Sequence, residues 1–561
     1  MTALEVRAAG EAAEAVAAAV PALVADAVAS RISAQDASLW GEAARSEAAV
    51  RLSWVSLATS SRPLVERIAE LREDLRAEGV DHVVLCGMGG SSLAPEVITR
   101  TAGVELTVLD GTDPGQVRRA LTDRLDRTVV VVSSKSGNTV ETDSQRRALA
   151  DAFTRAGIDA ARRIVVVTDP GSGLQATAEE AGYRAVFTAD PHVGGRYSAL
   201  TAFGLVPSGL AGVDLGALLD EAEEAAEMLA ADDEGNPALV LGAAIAGGAT
   251  GRGEGRQDPP ARDKVVIVED GTPLVGFGDW AEQLIAESTG KEGTGVLPVV
   301  VAGTGAPEVA SPGADTTVVR LVPDDALGTD TAATTGAEVR VSGALGAQFL
   351  LWEYATAVAG RLLGINPFDQ PDVESAKKAT RALLDERGSA QEAAFTDGAV
   401  EVRASTGLLE AGADSVPAAL DALLGHLDGE RGYVAVMAYL DRETDTELAQ
   451  LREALAQRTG RPVTFGWGPR FLHSTGQYHK GGPATGVYLQ VTGAPVDEVP
   501  IPGIPFSFGE LIAAQAAGDA SVLAEHGRPV LRLHLADRRS GTAQLLAAVR
   551  QGAPTAGGSG A

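Results

Sequence analysis

With 561 residues the chain is longer than one hydrophobic core usually serves, so two or three domains are expected. Its 46 basic and 76 acidic residues leave a formal charge of −30, which repels nucleic acid and anionic membrane surfaces and requires any anionic ligand to sit in a local basic pocket. One cysteine, Cys86, allows no internal disulfide framework; the start, Met1-Thr2-Ala3-Leu4-Glu5-Val6-Arg7, has no basic-then-apolar leader and no apolar run approaches about 18 residues, so the reading is a cytoplasmic protein without a membrane span.

Residues 5–48 carry alanine-rich helical periodicity, with Ser33 or Asp36 as a cap and Trp40 as an anchor. An amphipathic helix over 62–79 follows. Residues 83–96, Val-Val-Leu-Cys-Gly-Met-Gly-Gly-Ser-Ser-Leu-Ala-Pro-Glu, read as a buried strand, a glycine turn with serines, and a helix. Gly87, Gly89 and Gly90 lack the dinucleotide spacing and its acidic ribose ligand, so no nicotinamide site is expected. A strand at 104–110 and a helix after Asp113-Pro114 lead to Thr128–Val132, five β-branched residues suited to a parallel strand buried on both faces. That strand runs into Ser133, Ser134, Lys135, Ser136, Gly137 and Thr139. Two readings fit the turn. One is an ordinary capped helix start. The other is a phosphate cradle, in which short hydroxyls and helix N–H groups meet an anion and Lys135 adds charge. Strands at 164–168 and 185–188 complete a strict strand–helix alternation, the pattern of a doubly wound parallel sheet, and two anion-ready strand ends in one sheet point to a small phosphate ester.

In Gly194-Gly195-Arg196-Tyr197-Ser198 the double glycine lets backbone approach a ligand beside Arg196, or Arg196 is a surface residue at a turn. The glycine-rich, charged loop 248–262 reads as mobile, and Lys264–Glu269 opens a second α/β unit. Gln283 and Glu287 are four residues apart on one helix face, and Gly290 ends that helix with Glu287 in its last turn, beside carbonyls that disfavour negative charge. Glu287 is then a base with a raised pKa or a solvated helix residue. An apolar helix over 344–364 precedes Asn366-Pro367-Phe368-Asp369-Gln370-Pro371 and a helix bearing Glu374, Lys377 and Lys378, where consecutive lysines commonly face solvent. The small polar run 388–419 marks a boundary. A third unit has strands near 433–439, 463–465, 487–492 and 530–535, with His473 and His479 in a glycine-bracketed loop; six apart, they make a poor metal pair, and no metal site is expected.

Five segments in order, Gly87-Met-Gly-Gly-Ser-Ser-Leu-Ala-Pro, Ser134-Lys-Ser-Gly-Asn-Thr-Val-Glu-Thr, Gly194-Gly-Arg-Tyr-Ser, Gln283-Leu-Ile-Ala-Glu-Ser-Thr-Gly-Lys and Phe368-Asp-Gln-Pro-Asp-Val-Glu-Ser-Ala-Lys, make residues 60–385 resemble the glucose-6-phosphate isomerase family. The resemblance implies an α/β fold of two doubly wound sugar-isomerase (SIS) domains with parallel sheets. The expected divisions are a helical segment over 1–60, the first such domain with its phosphate loops over 61–212, the second with the base helix over 213–388, a C-terminal α/β extension over 389–549 and a disordered tail over 550–561. It implies a homodimer whose active site a second subunit completes, a sugar phosphate as substrate, and no cofactor. It assigns the substrate to Gly90, Ser91, Ser134, Lys135, Ser136, Thr139, Glu141, Gln283 and Gln370, with the phosphate on the hydroxyl loops. Glu287 becomes the base between C2 and C1, Arg196 the cation for the cis-enediolate, and Lys377 an aid to ring opening.

The family places a ring-opening histidine between the base motif and Phe368-Asp369-Gln370, yet residues 288–425 contain no histidine. The C-terminal unit resembles the isomerase half of fused transaldolase–glucose-6-phosphate isomerases, and His473 or His479 is expected to take the missing role, or else to pack the third unit onto the core. Two other functions stay in view: a dual glucose and mannose 6-phosphate isomerase, and a non-catalytic sugar-phosphate sensor.

Overall fold

The computed structural model describes residues 4–249, 260–328, 336–386, 391–409 and 412–551, with the side chains of 373–377 and 385–386 outside the description. The expected mobile loop falls mainly on 250–259 and the expected tail on 552–561, both outside the described residues; the last helix, Arg538–Gln551, runs through Arg550 and Gln551, the first two residues of that tail.

The first strand, β1 (Glu5–Gly10), corrects the reading of residues 5–48 as wholly helical. It pairs antiparallel with a strand more than three hundred residues later, and Gly10, at φ 57°, turns the chain into helix Glu11–Ala25. Alanine favours helix locally, but an unpaired sheet edge offers Arg7 to Gly10 a hydrogen-bond ladder that local propensity cannot reveal. Asp36 does cap a turn: it accepts from the Ser38 hydroxyl and from the Ser38 N–H at the head of Ala37–Trp40, and these bonds, with the partly buried Arg31 pair, hold its carboxyl near 2.

Next come β2 (His82–Gly87), β3 (Thr107–Leu109), β4 (Thr128–Ser133), β5 (Ile164–Thr168) and β6 (Ala185–Thr188), an all-parallel sheet in the order β3-β2-β4-β5-β6. β2, β4 and β5 are buried along their whole length, as the β-branched runs of β4 and β5 and the Val83-Val84-Leu85-Cys86 stretch of β2 require. Cys86 sits near the end of β2, fully buried, its thiol pushed up by desolvation. A second sheet takes β7 (Lys264–Glu269), β8 (Leu297–Val301), β9 (Thr316–Leu321) and β10 (Ala337–Ser342) in the order β1-β10-β9-β7-β8, parallel apart from β1. Helix Phe277–Thr289 packs on helix Leu345–Leu363, which is buried on nearly every side, and Phe277, Trp280, Phe349 and Trp352 fill their contact.

The third sheet holds β11 (Phe395–Asp397), β12 (Val400–Ala404), β13 (Tyr433–Tyr439), β14 (Val463–Trp467), β15 (Gly486–Gly493) and β16 (Val530–Leu535) in the order β11-β12-β16-β15-β13-β14. The hairpin β11–β12 lies inside the stretch read as a boundary. Ion pairs fasten this unit to the other two. Arg442 and Arg470 hold Glu96 at 2.8 and 2.7 Å; burial raises a carboxyl, but the two guanidiniums outweigh it and set Glu96 near 2. Arg119 makes a bidentate pair with Asp441 (2.6 and 2.7 Å), and Arg452 meets Glu308 at 2.7 Å. Pairs this buried fix relative position more than they add stability, since desolvation offsets most of their attraction. Among the described residues no helix is long and apolar enough to cross a membrane.

Candidate active site

Strand β4 delivers its hydroxyls into the turn before helix Val140–Arg155. Ser134 Oγ lies 3.0 Å from Thr139 Oγ1 and accepts the Gly137 N–H at 3.2 Å, while Ser136 Oγ accepts from the Asn138 N–H. Thr139 is the N-cap residue yet makes no side-chain cap bond, so the first turn keeps donors for a ligand, unlike a self-capped helix. The Lys135 ammonium is engaged within the protein: it meets Asp169 at 2.7 Å and the Pro191 carbonyl at 3.3 Å. Its expected contribution of charge to the turn is therefore corrected to an ion pair with Asp169.

The glycine loop after β2 comes close to both neighbours. Gly90 stands against Gly195, beside half-buried Ser91, and a Cβ on Gly90 would lie 1.9 Å from the Gly195 carbonyl oxygen. Gly89, at φ 54°, leaves no room for a Cβ against Gln283 and His473. A Gly90→Ala variant is expected to lose ~2–3 kcal/mol or more of stability and to push apart the loops bearing Ser91 and Arg196, seen as a lower midpoint in urea with a weakened response to ligand.

Arg196 leaves the short turn Gly195–Tyr197 and is 2% exposed, which settles its position against a surface location. Its Nε donates to Ser288 Oγ (2.8 Å), Nη1 to Gln370 Oε1 (2.8 Å) and Glu287 Oε2 (3.4 Å), and Nη2 to the Pro367 and Asp369 carbonyls (2.8 and 3.0 Å). Glu287 lies in the last turn of helix Phe277–Thr289, whose C-cap is Gly290, and is buried. Burial pushes its carboxyl above the ordinary range, against the pull of Arg196, His473, Gln283 and Lys291. Gln283 reaches Glu287 at 3.5 Å and donates to the His473 carbonyl at 2.7 Å. Lys291 is buried on Asp369 and the Asn366 and Asp369 carbonyls; desolvation and Arg196 lower its ammonium to about 8.

The two candidate histidines part company. His473, at the end of the turn Arg470–His473, sets Nε2 3.3 Å from Glu141 Oε1, and the same oxygen accepts from Gln515 at 2.7 Å. This histidine lies over the glycine loop and beside Gln283, within one chain. His479 lies in the core: its Nδ1 bonds Tyr433 OH at 3.0 Å, its ring stacks on Tyr433, and burial drives it down to about 3. The expectation that His479 serves the sugar is corrected to a packing role. The side chain of Lys377 lies outside the described residues.

The arrangement gathers Arg196, Glu287, Gln283, Gln370, His473 and Glu141 beside the hydroxyl turn. Ser288 and Lys291 stand in the base motif with no role that their spacing alone reveals, and Gln515, in an alanine-rich helix, gives no signal in the sequence. The site therefore joins a hydroxyl turn at the strand ends of the first, all-parallel sheet to a buried carboxylate–guanidinium pair, in a fold of α/β sheets that are parallel for the most part. The phosphoglucose isomerase family model matches residues 60–242. A glucose-6-phosphate isomerase of Acaryochloris marina is 37% identical over 219 residues, 37% of this chain and 40% of that protein. One from a Nostoc species is 29% identical over 363 residues, 55% of this chain and 67% of that one. A hypothetical protein of Thermus thermophilus, 25% identical, superposes with a TM-score of 0.55 over 68% of this chain and 99% of its own. The chain thus carries a region similar to the phosphoglucose isomerase family, and it spans about 40% of the length of relatives such as the Acaryochloris protein.

Proposed function

We propose that the chain is an aldose–ketose isomerase that interconverts glucose 6-phosphate and fructose 6-phosphate. The observation that carries the reading is Glu287, a buried carboxylate with a raised pKa, 3.4 Å from a buried guanidinium. A carboxylate so placed can take the proton from C2 and return it to C1, and Arg196 supplies positive charge where the enediolate develops. The phosphate is taken by Ser134, Ser136, Thr139 and the uncapped first turn behind them, with Gln283 and Gln370 on the sugar. His473, held by Glu141, opens the ring by moving a proton between the ring oxygen and the C1 hydroxyl. That role falls to a residue of the same chain, so the proposed homodimer is not needed to supply it.

The test is conversion of fructose 6-phosphate by purified protein, with mannose 6-phosphate in parallel; binding without turnover would leave a sensor. His473→Ala should slow hexose phosphate turnover by ~10²-fold or more, as loss of a general acid–base does. A tetrose 4-phosphate cannot cyclise, and its proton exchange should survive in that variant. His479→Ala should lower the melting temperature and leave ring opening intact. The reverse pattern would return ring opening to His479.

A further inference from the structure

The third sheet carries polar side chains on one face beneath a helix of small ones. Arg403 in β12 lies opposite Arg532 in β16, and Glu401 lies opposite His534. Like charges directly opposed across strands are unfavourable, so each needs relief. Arg403 has it: Nη2 meets Glu401 at 2.7 Å and Nε the Gln391 carbonyl at 2.6 Å. Arg532 has only neutral partners among the described residues, Gln490 Oε1 at 3.0 Å and Gln391 Oε1 at 3.3 Å. Burial and the neighbouring Arg403 together depress its pKa. The acid nearest in effect, Asp519, is taken up by Lys480 at 2.6 Å.

Helix Phe508–Glu525 lines with Ala513, Ala517 and Ala520 a cavity of about 940 Å³, to which Arg403 and Arg532 contribute from the sheet and Leu383, Phe506 and Ile512 from elsewhere. That is the size of a small-molecule site, and its lining mixes apolar side chains with charged ones, Glu401, Glu510 and Arg538 beside the two arginines. We propose that this cavity binds a small amphipathic anion, its carboxylate or phosphate on Arg532 and a compact apolar body against Leu383, Phe506 and Ile512. The guanidinium fork suits either anion.

The helix roofing the cavity also reaches the proposed active site. Its Gln515 donates to Glu141, which faces His473, and Tyr439, which lines the cavity, donates to Asp519 at 3.2 Å. An occupant therefore bears on the element that orients Glu141.

Calorimetry and thermal melts of the full chain with phenyl phosphate and with 3-phenylpropionate test this, with inorganic phosphate and benzyl alcohol as the separate halves. At least one amphipathic anion should bind and raise the melting temperature, more tightly than either half. The two anions distinguish a phosphate from a carboxylate ligand. Arg532→Ala should weaken binding at least 10-fold, Arg532→Lys less, and Ala517→Phe, which fills the cavity, should abolish it. No binding of either anion, or equal binding in Arg532→Ala and Ala517→Phe, overturns the site. A kinetic arm, which rests on the isomerase reading, should show a changed KM for fructose 6-phosphate; binding with unchanged kinetics keeps the site and removes the coupling.

Discussion

Glu287→Gln should lower kcat for fructose 6-phosphate by ~10²- to 10⁴-fold, the range general-base removal produces, with KM within a few-fold of the parent. The replacement keeps shape and can still accept from Arg196, so binding survives while the proton acceptor is gone. The pH profile of the parent carries the same assignment. A base must be ionised, and burial raises the Glu287 carboxyl, so kcat/KM should fall on the acid side with an apparent pKa above the ordinary glutamate value of 4.5. Stability should move the other way. A carboxyl whose folded pKa exceeds its unfolded one contributes stability below the unfolded value and loses it as pH rises through the folded value. The glutamine variant does not ionise, so its melting temperature relative to the parent should climb across that window. Unchanged turnover would remove Glu287 from the base position.

How far the chain can be read from its sequence depends on whether the cause is local. Thr128–Val132 announces a strand buried on both faces because an unbroken β-branched run is a property of the segment itself, and the structure agrees, carrying the strand one residue further to Ser133. The helix end at Gly290 and the shared face of Gln283 and Glu287 are of the same kind. β1 is the opposite case. Glu5-Val-Arg-Ala-Ala-Gly becomes a strand because β10 presents an open edge, and nothing within those residues says so. Lys135 looks free in its loop, and only the fold shows Asp169 across from it. The same limit separates His473 from His479. Both sit among glycines, and what distinguishes them is whether Tyr433 or Glu141 lies opposite. Gln515 illustrates it most sharply, since its importance rests entirely on a partner 374 positions away.

Arg196→Ala should cost turnover by ~10²- to 10³-fold, the scale on which loss of a preorganised donor to a developing oxyanion is felt, and should affect kcat more than KM. Two effects combine in this residue. The first is electrostatic: without the guanidinium at 3.4 Å, the strongest influence holding the Glu287 carboxyl down is gone, so the acid limb of kcat/KM should move to higher pH. The second is architectural. Arg196 ties the Pro367 and Asp369 carbonyls and Gln370 Oε1 to Ser288, so its removal leaves buried acceptors unpaired in the loop that carries Gln370. Breaking so buried a network should lower stability by ~3 kcal/mol. Arg196→Lys separates the two. It restores a charge near Glu287 but cannot span Ser288, Gln370 and two carbonyls with one ammonium. The acid limb should therefore return toward the parent while the loss of stability largely persists. If Arg196→Ala instead weakened binding and left kcat alone, the guanidinium would belong to the phosphate and not to the enediolate.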